Sequence, residues 1–297
     1  MELLLARLFD GVANGTLYAS VALSLVLIYK ATALINFAQG EMAMVGAFLT
    51  YVLAVELNLN ILVALVIAMV ASALFGVVVH RTIISRFDEH EHLPVVLVTL
   101  GLLLALNAFV AILFGYDTRR LPSLLPQGSA VQIGSANLRW YTLGVLVVSV
   151  GVLALLTILL RRTNIGLAFR AVATNTESAR LVGIPVSRVI TLSWAIAAAI
   201  GTLAATLYVS DPLRQLDPLV MERVLIFAAA AAVLGGLDSL WGSLAGGLLL
   251  GLSESLVTGY VSWIPPELGM VVALICLALV LLWRPSGLFG SVQVARV

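Results

Sequence analysis

Apolar residues run through this chain in long blocks, with no sustained alternation of the kind a half-buried strand shows. Four blocks reach membrane-spanning length without a single charge: Ile61–Val79, Leu93–Phe114, Tyr141–Leu160 and Val189–Ser210. A bilayer core about 30 Å thick needs roughly 20 such residues in one helix. Gly11–Tyr29 is equally apolar but carries Asn14, Thr16 and Tyr18, while Asn36–Val55 and Ser239–Val261 each hold one acid, Glu41 and Glu254. Leu268–Trp283 is a shorter closing helix that stops at Arg284–Pro285, and Val224–Leu237 is an alanine-rich half-span. The pattern predicts an all-α polytopic membrane protein of eight to nine segments in one transmembrane domain covering 1–297.

Composition agrees with that reading. Hydrophobic residues make up 62% of the 297 and charged residues 10%, against roughly 25% charged in soluble domains. Mean hydropathy is +1.12 over the whole length, so the excess is not one anchor on a soluble domain. A soluble enzyme and a disordered scaffold are excluded, and a net charge of +1 offers no basic surface to nucleic acid. The N-terminal run lacks a basic leader and a small-x-small cleavage site, so Gly11–Tyr29 is expected to stay as the first span.

Of the sixteen basic residues only Lys30 is lysine, and it is followed by Ala31 with no glycine-rich loop before it. A P-loop needs Lys followed by Ser or Thr, so the chain is expected to bind no nucleotide itself. The arginines set orientation. The segment 161–188 holds Arg161, Arg162, Arg170, Arg180 and Arg188 against one acid, Glu177, and belongs in the cytoplasm. With nine crossings, ten basic residues fall inside and six outside, giving an N-out, C-in arrangement.

Polar residues inside the spans are the candidate chemistry. Asn36, Gln39 and Glu41 lie within six residues at the start of a span, where they are costly unless they face protein or water. Gly40 would let the helix break and turn backbone toward a cavity. The bland alternative is a helix start in which Glu41 meets the positive end of the dipole. Glu254, between two serines, sits deeper in its span and is read the same way. The pairs Gly11/Gly15, Gly242/Gly246 and Gly247/Gly251 have the spacing of close helix packing. The run Glu89–His92 with His80 nearby is weighed as a metal cluster and set aside as a solvated turn. No zinc-protease or serine-hydrolase motif is present, and Gly235–Gly236 lacks the cation a phosphate loop requires.

Segment 161–188 is too polar to span and too regular for a bare linker. Thr174 or Asn175 can cap a short helix through Leu181, with Gly183 stopping it. Ile35-Asn36-Phe37-Ala38-Gln39-Gly40-Glu41, the loop from Arg170 through Gly183 to Arg188, Ala232–Gly236 with Gly242, Gly246, Gly247 and Gly251, and Pro285–Gly290 occur in order along the chain. In these motifs the sequence resembles the permease subunits of branched-chain amino-acid ABC importers, of the LivH type. Gln39 stands where that family frequently has histidine, which argues against a proton relay there.

The resemblance implies a permease working by alternating access beside a second homologous permease, two cytoplasmic ATPases that use ATP and magnesium, and a periplasmic solute-binding protein. The chain itself would hold no cofactor and no metal. Asn36, Gln39, Glu41 and Glu254 would line the pathway, and Arg170, Ala173, Asn175, Glu177, Ala179, Arg180 and Gly183 would form the coupling element for an ATPase. Leucine, isoleucine and valine are the default solutes, with other amino acids, urea, amides and small acids as alternatives. A stand-alone secondary transporter is the competing class, with only Glu41 and Glu254 as ion-coupling carboxylates. Purified alone, the chain is expected to bind no ATP by calorimetric titration. Specific nucleotide binding by the isolated subunit would remove the importer reading.

Overall fold

The computed structural model describes residues 2–87, 92–134, 136–261 and 268–290. Among them are eleven α-helices. In chain order these are α1 (Glu2–Thr32), α2 (Gln39–Tyr51), α3 (Ile61–Thr82), α4 (His92–Phe114), α5 (Trp140–Arg162), α6 (Asn164–Thr174), α7 (Thr176–Leu181), α8 (Val186–Val209), α9 (Val220–Gly235), α10 (Leu240–Tyr260) and α11 (Gly269–Trp283). Six helical stretches are long and apolar enough to cross a membrane: Glu2–Thr32, Ile61–Arg86, Leu93–Phe114, Trp140–Arg162, Val186–Val209 and Leu240–Tyr260.

The other three expected segments are shorter. Asn36–Val55 becomes the 13-residue α2 followed by a π-helical turn, Val52–Glu56. The half-span near Val224 is α9, with 16 residues, and the closing helix α11 has 15. A two-stranded hairpin, β1 (Ser129–Ile133) with β2 (Ala136–Arg139), interrupts the helices before α5. Its strands pair antiparallel from Ile133↔Ala136 to Ser129↔Arg139, with a bulge near Val131.

The chain divides into two compact units. One comprises Met1–Val26, Leu125–Val150 and Leu225–Val297, the other Leu27–Leu124 and Gly151–Val224. In the first unit α1 and α10 approach backbone to backbone. A Cβ on Gly15 would lie 2.6 Å from the Gly247 carbonyl oxygen, and one on Gly11 would lie 2.8 Å from Leu252 Cα. The expected Gly11/Gly15 and Gly247/Gly251 pairs therefore face one another. Lipid tails are as apolar as leucine, so such van der Waals contact is what holds helices together in a bilayer. Ser20 and Ser149 add a 2.6 Å hydroxyl contact between α1 and α5, and Tyr18 stacks on Phe227 at 4.6 Å.

The C-terminal turn closes the same unit. Gly236 (φ +104°) and Gly287 (φ +80°) take backbone angles that side chains disfavour. Leu288 and Phe289 donate their amides to the Leu234 and Gly235 carbonyls, capping α9. Gly235–Gly236 thus serves helix termination.

In the second unit α8 is the central post, packed by α2 and α3. Gly76 on α3 meets the Trp194 carbonyl, where a Cβ would come to 2.6 Å. Polar groups are paired across these contacts. Thr202 donates to Ser72 Oγ at 2.7 Å, and the Thr50 and Thr206 hydroxyls lie 3.4 Å apart. Thr191 spends its one hydroxyl proton on Ser187 O at 2.7 Å, so it accepts from His80 Nδ1 at 2.9 Å. Burial differs among the helices: 89% of an 18-residue apolar window in α1 and 78% of one in α8 is buried, against 28% in α3, 17% in α4 and 28% in α5. The exposed faces carry Leu62, Val66, Leu74, Leu104, Ile112 and Leu155, as lipid contact requires.

Gly247→Val is expected to overpack the α1–α10 contact and destabilise the protein by about 1–3 kcal/mol. Gly101 has nothing within 4 Å of a Cβ position, so Gly101→Ala should not lower the melting temperature. Thermal unfolding in detergent compares them; equal melting points would refute the contact.

Candidate translocation site and coupling surface

The polar cluster is built around a chain break. Helix α1 ends at Thr32, Ala33 takes φ +55°, and α2 begins at Gln39. The break falls before the expected Gly40, which sits inside the first turn of α2. Asn36 Oδ1 accepts the Ala38 amide at 3.0 Å, an Asx turn that delivers the chain into α2. Its Nδ2 donates to Gln39 Oε1 at 3.3 Å, and Gln39 Nε2 donates across to the Ala197 carbonyl of α8 at 3.0 Å. Gly201 leaves room for that reach, since a Cβ there would lie 2.6 Å from Gln39 Nε2. Asn36 and Gln39 are buried and mutually satisfied, and they tie α2 to α8.

Glu41 differs. It is 0% exposed, and neither carboxylate oxygen has a hydrogen-bond partner. It lies in the first turn of α2, where the helix dipole favours negative charge, but that alone does not satisfy four buried lone-pair sites. Its polar surroundings are Asn107 on α4 and Glu222 in the first turn of α9. Asn107 Nδ2 is committed to Pro218 O at 2.9 Å and to Glu222 Oε1 at 3.4 Å. Glu254 belongs to the other unit, where its carboxylate lies against Gly269 at the start of α11.

The polar segment after α5 folds as two helices where one was expected. Thr163 caps α6 by accepting the Gly166 amide at 3.1 Å, and Asn175 caps α7 by accepting the Ser178 amide at 2.8 Å. Helix α7 ends in a Schellman turn: Ile184 donates to Ala179 O and Gly183 to Arg180 O, both at 3.0 Å, with Gly183 at φ +84°. Gly166, Phe169, Val172 and Ala179 are buried within the unit. Arg170, Ala173, Asn175, Glu177, Arg180 and Gly183 are exposed. Ala179, at 3% exposure, is not on the open face; Leu181 and Val182 are, at 88% and 76%.

The histidine cluster after α3 lies largely outside the described residues. His80, within them, is buried and bonded to Thr191. Among the described residues no three His, Cys, Asp or Glu side chains gather as metal ligands would.

Comparison with known proteins places this architecture. Residues 7–281 match the family model described as branched-chain amino acid transport system / permease component. The chain belongs to that family. It is 31% identical over 99% of its length, and 97% of the other chain, to the high-affinity branched-chain amino acid transport system permease protein LivH of Escherichia coli (strain K12). It is 29% identical, covering 99% of this chain and 98% of the other, to the corresponding permease protein BraD of Pseudomonas aeruginosa. The solved structure of PsaBC from Streptococcus pneumoniae in complex with Fab aligns over 95% of this chain and 91% of that one, with a TM-score of 0.48 and 14% identity.

Two residues of the permease's candidate site escape a reading of spans by charge. Asn107 is a lone amide inside the uncharged Leu93–Phe114 run, and Glu222 lies next to a segment read as half a span. The signal was the amide itself, a side chain that hydrocarbon penalises. Replacing Gln39 with Leu is expected to strand the Asn36 amide and to destabilise the protein by about 1–3 kcal/mol. The check is thermal unfolding of Gln39→Leu beside Gln39→His, whose ring keeps a donor; an unshifted melting point in both would show that the link carries no stability.

Proposed function

We propose that this chain is the membrane-spanning subunit of an ATP-driven, binding-protein-dependent importer for branched-chain amino acids, forming half of the translocation pathway beside a second homologous permease. The carrying observation is the match to branched-chain amino acid permeases over nearly the whole chain. The hydrolysis of ATP with magnesium belongs to two cytoplasmic partner subunits, and delivery of solute to a periplasmic binding protein. The arginine bias supports an inner-membrane protein with its N-terminus outside and its C-terminus inside. Reconstitution with these partners in proteoliposomes tests the reading: leucine uptake that requires ATP and the binding protein is expected, and uptake without the ATPases would overturn it.

The coupling element in this reading is the α6–α7 pair, capped at both starts and closed by the Gly183 turn, which presents a defined face. Leu181 and Val182 at its tip, beside Arg180 and Glu177, fit the apolar centre and charged rim of a protein interface. Leu181→Glu would bury a charge at such a contact. Both Leu181→Glu and Ala173→Glu are expected to reduce ATPase co-purification about tenfold or more without lowering the melting point of the permease. Wild-type recovery of the ATPase in both variants would show that this surface does not couple.

A further inference from the structure

Helices α2 and α4 carry two matched pairs. Glu41 and Phe48 are seven residues apart on α2, and Asn107 and Phe114 are seven apart on α4, so each pair occupies one helix face two turns apart. Phe48 and Phe114 meet with ring centroids at 4.7 Å. The seam between these helices thus has a polar level and an aromatic level, separated by about 10 Å at 1.5 Å rise per residue. Beyond the aromatic level stands Arg119, its guanidinium 5.5 Å from the Phe114 ring centroid and 5.3 Å from that of Tyr51, with Nη2 donating to Phe114 O at 2.9 Å.

At the polar level acceptors outnumber donors. Both Glu41 oxygens are buried and unmatched. The Asn107 amide nitrogen, the donor beside Glu41, is shared with Pro218 O at 2.9 Å and Glu222 Oε1 at 3.4 Å, so one amide serves three acceptors. Glu222, bonded to the same Asn107, adds a second negative charge close enough to act on Glu41. A buried ionised carboxylate without a donor is among the costliest arrangements a membrane interior can hold, and an occupant that brings positive charge and N–H or O–H donors relieves it. A primary ammonium brings both, with three donors on one centre. The neighbouring phenyl faces offer apolar surface to an aliphatic side chain carried on the same molecule.

We propose that Glu41, flanked by Asn107 and Glu222, receives the ammonium group of the amino acid in transit, and that the Phe48–Phe114 pair is the apolar surface its side chain passes. The assignment rests on the reading of this chain as an amino-acid permease. In the complete reconstituted complex, Glu41→Gln should assemble with its ATPases yet lower the maximal rate of leucine uptake about tenfold or more, the loss expected for one charged hydrogen bond. Glu41→Asp should fall between. Restoring a carboxylate one residue away in space, as Glu41→Gln with Asn107→Asp, should recover part of the rate, which a purely structural role would not do.

Glu222→Gln, an exposed position at a helix start, gives an independent reading and should lower the rate about threefold even if Glu41→Gln fails to assemble. Wild-type uptake should survive replacement of sodium by choline. Unchanged uptake in Glu41→Gln or, where that variant fails to assemble, in Glu222→Gln would overturn the proposal. So would absence of recovery in the double variant, or a sodium dependence that Glu41→Gln abolishes, which would assign the carboxylate to an inorganic cation. Failure of the wild-type complex to carry leucine at all would remove the permease reading instead, and so is distinguishable.

Discussion

A hydrocarbon interior offers no water to a stranded hydrogen-bonding group, so a polar group buried between helices is costly unless the chain itself supplies its partner. That constraint organises the unit built on α8. Thr191, Thr202 and Thr206 on one helix engage His80, Ser72 and Thr50 on two others, and Gln39 reaches the Ala197 carbonyl. None of these contacts is strong by itself in a membrane setting, where interhelical hydrogen bonds average well under about 2 kcal/mol. Their joint effect is register. Each link is met only when α2, α3 and α8 stand at one height relative to one another.

Glycine supplies the other half of the arrangement. Backbone contact through Gly15 and Gly247 in one unit, and through Gly76 in the other, brings helices close enough for dispersion to act where hydrophobic burial cannot. Close approach also shortens the distance that small hydroxyl side chains must bridge. Gly201 shows the two effects combined: its missing side chain is the space that Gln39 Nε2 occupies.

Much of this was legible from residue order alone. The charge-free runs Ile61–Val79, Leu93–Phe114, Tyr141–Leu160 and Val189–Ser210 all became membrane-length helices, because a run with no charge has no other stable destination at that length. The caps of the polar segment were readable too, since Asn175 and Gly183 have one local chemistry each. The hidden features depend on long-range contacts. Whether Asn36 and Gln39 face a path or each other is decided by Ala197, some 160 residues away, and no local pattern encodes that. The same holds for Ala179, whose small size suits a partner groove and an internal contact equally. The short hairpin before α5 went unseen because its strands are brief and mostly exposed.

The division of labour within the six-residue cluster follows from hydrogen-bond capacity. An amide both donates and accepts, so Asn36 and Gln39 can close on each other and on a carbonyl, and the cost of burying them is recovered inside the fold. A carboxylate only accepts, and neither Glu41 oxygen has a donor at hydrogen-bonding distance. A chain selected for stability alone would place glutamine or an apolar residue there, since an unpaired buried charge opposes folding. Its two helical neighbours Gln39 and Met42 fix the backbone that presents it. The stabilising amides and the costly acid therefore share one short stretch of chain at the start of α2. Asn36 and Gln39 hold the start of α2 against α8, while α6 and α7 pack against the same helix. Packing thus links the α6–α7 surface through α8 to the helix that carries Glu41.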